Sequence, residues 1–68
     1  MQSKHTEQDT PRLQAALAAA DWPLLTRLCR QVLRKNGRHL SAHRLLGFSL
    51  NKQREFDAAL QAYRQAYV

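Results

Sequence analysis

The stretch Leu46–Ala66, LGFSLNKQREFDAALQAYRQA, decides the fold. Its small and apolar residues fall as Leu46-Gly47-(x)2-Leu50-(x)5-Phe56-(x)2-Ala59-(x)3-Tyr63-(x)2-Ala66. Within each half of this series the spacing is that of one helix face, and a polar break from Lys52 to Glu55 parts the halves. Two helices joined by a short turn are therefore expected here. Working outward, the stretch overlays the sequence that precedes it. Trp22 falls on Phe56, Asp21 on Glu55, Leu25 on Ala59, Cys29 on Tyr63 and Val32 on Ala66. A period of about 34 residues marks stacked helix–turn–helix units, each of which lacks a pocket of its own.

The rest of the chain fills in four helices. Residues 1–9 read as a flexible lead-in, and Thr10-Pro11 as a helix start, since Pro is tolerated at the first helical position. Leu13, Ala16, Leu17 and Ala20 form the apolar face of that first helix. Asp21-Trp22-Pro23 ends it and caps the next, whose stripe is Leu25, Leu28, Cys29 and Val32. Asn36-Gly37 reads as a stop, because both residues accept the left-handed conformation. Ser41 is the expected N-cap of a third helix with Ala42, Leu45, Leu46 and Leu50 inward. Glu55 or Asp57 starts a fourth, with Phe56, Ala59, Leu60, Tyr63 and Ala66 inward. The expected fold is all-α, two stacked antiparallel helical hairpins over residues 10–68.

Composition narrows the function. A chain of 68 residues makes one compact unit and buries about 60% of its unfolded surface, which leaves it marginal alone. One cysteine, Cys29, permits no internal disulfide and fits a reducing compartment. The polar start is not a secretory signal, and no apolar run reaches the ~20 residues of a membrane span, so a cytoplasmic location is expected. The net charge is +6, and no Asp or Glu occurs between Trp22 and Arg54. That one-signed field favours acidic partners.

The pattern of the second half resembles the tetratricopeptide repeat. Leu46-Gly47, then Leu50, Phe56, Ala59, Tyr63 and Ala66 stand where that family alternates large and small residues. Residues 40–68 resemble one repeat, cut short. Residues 6–39 resemble a degenerate one, with Leu13 in place of the glycine, and the repeat itself spans residues 10–37. His43 stands where the family prefers Trp, and Arg54 where it often has a turn Gly. The resemblance implies a fragment of a right-handed superhelix and a protein–protein interaction module. Such a module would be the N-terminal part of a larger repeat protein or a small assembly chaperone. It also implies that the first helix of each unit lines a concave face. On this chain that face comprises Gln14, Leu17, Ser41, Arg44, Phe48, Asn51 and Lys52, and the partner is another protein or peptide of acidic character. Phe48, off the Leu46–Leu50 stripe, is expected to pack on the first helix. Two repeats are fewer than the usual three. The outer surface of the fourth helix, at Leu60, Tyr63 and Tyr67, is therefore expected to self-associate or to dock further repeats.

Other chemistries have less in their favour. His39 and His43 share a helix-like spacing, yet no third ligand is near in sequence, so no metal is expected. No glycine-rich phosphate loop and no nucleophile–base–acid set is present, so neither a cofactor nor an enzyme is expected. The alternative function is nucleic-acid binding through the basic face of residues 27–38, namely Arg27, Arg30, Arg34, Lys35 and Arg38. A DNA-binding helix–turn–helix wants apolar residues flanking its turn, and Asn36 and Arg38 flank Gly37 instead.

Overall fold

A computed structural model describes the backbone of residues 2–67 and the side chains of residues 9–67. The chain is all-helical: α1 (Gln2–Ala18), α2 (Trp22–Lys35), α3 (Leu40–Lys52) and α4 (Phe56–Ala66). Each helix packs on the next in sequence, so two hairpins, α1–α2 and α3–α4, meet along α2 and α3.

The two hairpin turns share a backbone geometry. Ala20 and Arg54 both adopt a left-handed φ, 54° and 64°. At the first turn the Ala20 N–H donates to the Leu17 carbonyl and the Asp21 N–H to the Ala16 carbonyl, at 3.0 and 3.1 Å. At the second the Arg54 N–H donates to Asn51 and the Glu55 N–H to Leu50, at 3.0 and 2.9 Å. The wider loop of each pair, Asp21 to Ala16 and Glu55 to Leu50, is the Schellman closure that satisfies helix-end carbonyls. Placing Ala and Arg at φ > 0, where glycine is at ease, costs on the order of 1 kcal/mol each. The turn hydrogen bonds offset it.

The core follows the expected stripes with few exceptions. Leu13, Ala16, Leu25, Cys29, Val32 and Ala42 form one buried cluster, and Leu50, Ala59 and Ala62 a second, with Leu46 packed against both. Gly47 is buried because Tyr63 lies over it: a Cβ there would sit 2.9 Å from the Tyr63 ring. Polar groups also cross the seam between hairpins. Thr26 Oγ1 and the fully buried Ser49 Oγ are 2.8 Å apart, and the Gln53 amide donates to Thr26 Oγ1 at 2.9 Å.

Several expected boundaries differ. The first helix does not begin at Thr10. It runs from Gln2 straight through Pro11, so the flexible lead-in over residues 1–9 is replaced by helix, except at Met1, which lies outside the described residues. An interior Pro costs about 3 kcal/mol. The turn ahead of Pro11 is fastened instead by Asp9, which is buried and paired with Lys35 of α2 at 3.3 Å. The N-cap of α3 is His39 rather than Ser41, for His39 Nδ1 accepts the Ala42 N–H at 3.1 Å. Neither Asn36 nor Gly37 is left-handed. Asn36 is extended, and its side chain accepts the Arg38 N–H in a local turn. Asp21 does cap α2, accepting from the Leu24 N–H at 3.2 Å, whereas Glu55 makes no side-chain cap bond at α4.

Phe56 and Leu60 overturn a larger expectation. Spacing assigns both to the inward stripe of α4, yet both are more than half exposed, Phe56 at 60% and Leu60 at 51%. Trp22 and Phe56 are therefore not equivalent plugs. Trp22 is half-buried because Phe48 of the following hairpin meets it edge to face, with centroids 5.5 Å apart. Among the described residues no ring covers Phe56 in the same way.

Candidate functional site

The helical periodicity of α1 and α3 turns Leu13, Gln14 and Leu17 of one, and Arg44, Leu45 and Phe48 of the other, toward a shared groove of about 420 Å³. Thr10 and Ser41 lie at its polar end, and Tyr63 and Tyr67 of α4 complete the wall beside α3. The groove is thus built by three helices from both hairpins. Its floor is aliphatic and its α4 wall aromatic, with the two tyrosine rings stacked 6.4 Å apart. Arg44 is the one formal charge among the lining residues.

Five residues assigned to the partner-binding face from the sequence, Gln14, Leu17, Ser41, Arg44 and Phe48, line this groove together. Asn51 and Lys52 do not line it. Both are exposed, and the Lys52 ammonium lies over the Trp22 and Phe48 rings, 5.9 and 5.3 Å from their centroids. Phe48 lines the groove with Leu13 and Leu17 of α1, and its ring also meets Trp22 of α2 and the Lys52 cation. Of the residues assigned to self-association, Leu60 and Tyr67 are exposed, while Tyr63 is half-buried over Gly47. Tyr63 and Tyr67 also serve the groove, which the sequence reading did not foresee. The Gly47-to-Tyr63 match of large against small was the available signal. Leu13, read as core, and Leu45 line the groove as well.

The single ion pair among the described residues is Lys35–Asp9, so Arg44 has no carboxylate partner among them. Arg27, Arg30 and Arg34 share the exposed outer side of α2 with Pro23, opposite the buried Leu25 and Val32. They form a basic ridge that lacks aromatic side chains.

His39 and His43 serve the α2–α3 connection. His39 Nδ1 caps α3, and His43 Nε2 donates to the Gly37 carbonyl at 2.7 Å. Among the described residues no cluster of three or more His, Cys, Asp or Glu side chains could hold a metal ion. Cys29 is fully buried, and burial pushes its thiol from 9.0 up to about 12, so it behaves as a small core side chain. No helix among the described residues is long and apolar enough to cross a membrane. Comparison with protein-family models, with curated proteins and with solved structures gives no match to this chain.

Proposed function

We propose that the chain is a protein-interaction module of tetratricopeptide type, which receives an acidic, partly apolar segment of another protein in the groove between α1, α3 and α4. The observation that carries this reading is an aliphatic and aromatic groove in which the one charged residue, Arg44, has no carboxylate partner among the described residues. Apolar anchors supply affinity in such a site, and the guanidinium selects a carboxylate by a two-pronged hydrogen bond. The acid-free stretch from Trp22 to Arg54 adds long-range attraction for the same guest. The turn geometry that Ala20 and Arg54 share, with matching hydrogen bonds, supports the repeat-type reading.

The test is an array of short peptides that place a leucine or phenylalanine anchor beside glutamates, with a matched set carrying lysines. The acidic set binds the wild-type chain, and Arg44→Glu weakens that binding at least about tenfold, the 1.4 kcal/mol expected for a charge-assisted hydrogen bond. Equal binding of both sets, or binding indifferent to Arg44→Glu, refutes the reading.

The ridge of Arg27, Arg30 and Arg34 favours a second reading, a nucleic-acid-binding module. Three exposed guanidiniums without stacking aromatics suit the phosphate backbone rather than bases. Affinity for a DNA or RNA oligomer that falls steeply with salt, and whose slope shrinks in an Arg27→Gln, Arg30→Gln, Arg34→Gln variant, would favour this reading over the first.

A further inference from the structure

Four residues of α4 and its C-cap recur at the spacing four, three, four: Phe56, Leu60, Tyr63 and Tyr67. Phe56, Leu60 and Tyr67 are more than half exposed, and Tyr63 is half-buried. The opposite requirement of α4, packing on α3, is met by the buried Ala59, Ala62 and Ala66, with Tyr63 leaning over Gly47 at the edge of that contact. The large side chains of this helix are thus left outside the core. Their spacing is that of the seam by which two helices interlock in a coiled coil.

We propose that this seam pairs with the same seam of a second copy of the chain, the two α4 helices running antiparallel about a twofold axis. The charges flanking the seam fix both the occupant and the direction. Asp57 directly follows Phe56 and Arg64 directly follows Tyr63, so both lie on the same flank, two helical turns apart. Both are exposed, and neither takes part in the single ion pair among the described residues. An antiparallel pair that sets Phe56 against the second copy's Tyr67, and Leu60 against the second copy's Tyr63, also sets Asp57 beside the second copy's Arg64. The twofold axis repeats each contact, as an isologous interface requires. A parallel pair puts the Asp57–Arg64 flanks of the two copies on opposite sides of the seam, where neither residue reaches its opposite charge. The helix is self-complementary in one direction only.

The seam is about 16 Å long at 1.5 Å per residue. A stable interface buries roughly 800 Å² per partner over about 20–30 residues, and a seam of four large side chains gives a weak, concentration-dependent dimer. Pairing also brings the second copy's Phe56 to Tyr67, at the edge of the groove, and lengthens its aromatic wall.

Sedimentation equilibrium of the full chain between about 10 μM and about 1 mM tests the proposal. The wild-type chain passes from monomer to dimer over this range. Leu60→Glu stays monomeric with unchanged helical circular dichroism, since the side chain it replaces is outside the core. Asp57→Arg and Arg64→Asp each weaken association about five- to tenfold, and the double variant recovers it. A wild-type chain that stays monomeric to the top of the range overturns the proposal and leaves the seam to another protein or to further polypeptide. A dimer that survives Leu60→Glu places the interface elsewhere. Single charge swaps without effect, or a double swap without recovery, overturn the antiparallel register.

Discussion

Gly47 is the residue on which the α3–α4 hairpin closes most tightly, and it has no room to grow. Alanine is the better helix former by about 1 kcal/mol, but a Cβ at Gly47 would lie 2.9 Å from the Tyr63 ring. Overpacking of this kind costs about 1–3 kcal/mol, so Gly47→Ala is expected to lower the thermal midpoint by a few degrees. A raised midpoint would mean that Tyr63 swings aside without loss. Cys29 gives a second residue-scale prediction. Its folded-state thiol is raised from 9.0 to about 12 by burial. The unfolded thiol ionises first, so the stabilising contribution is whole below pH 9 and is lost as pH rises toward 12. The slope is up to about 1.4 kcal/mol per pH unit. Urea unfolding from pH 8 to 10.5 is expected to show a steeper decline for the wild type than for Cys29→Ala, whatever constant penalty the smaller side chain adds.

At the scale of elements, the four helices differ in how firmly they are held. Helix α2 buries Leu25 and Cys29 completely between its neighbours. The fully buried residues of α4 are alanines, each worth little beside a leucine, with Tyr63 half-buried over Gly47. Amide hydrogen exchange is therefore expected to be markedly faster along α4 than along α2, and comparable rates would contradict this ranking. Legibility in the sequence follows the same lines. Helix α2 was readable because Asp21 is a strong cap and its apolar stripe is unbroken. The start of α1 was not, because local rules place Pro11 at a first turn, and the tie that carries helix past it, Asp9 to Lys35, spans 26 residues. Ser41 lost the cap of α3 to His39, whose ring nitrogen accepts the Ala42 N–H. Both residue types can accept such a bond, and periodicity alone does not rank them. Phe56 matched Trp22 in pattern, but burial depends on what lies opposite: Phe48 meets Trp22, and among the described residues no ring meets Phe56. The groove was half legible. Helix spacing put Gln14, Leu17, Arg44 and Phe48 on first helices, whereas the contribution of Tyr63 and Tyr67 depends on how far α4 leans over α3.

At the scale of the molecule, two hairpins share one polar fastening within a largely greasy contact. Apolar helix faces repeat at every turn, so they tolerate a slip of one turn, about 5.4 Å, with modest loss. The hydroxyls of Thr26 and Ser49 and the amide of Gln53 do not. The Ser49 hydroxyl donates to the Leu46 carbonyl within its own helix at 3.0 Å, so a slipped arrangement would cost the two cross-hairpin bonds that meet at Thr26 Oγ1. This trio works as a pawl between the hairpins. It lets the oily surfaces find each other in many ways during collapse, then admits a single notch, and so sets the width at which α1 and α3 stand apart before any guest arrives.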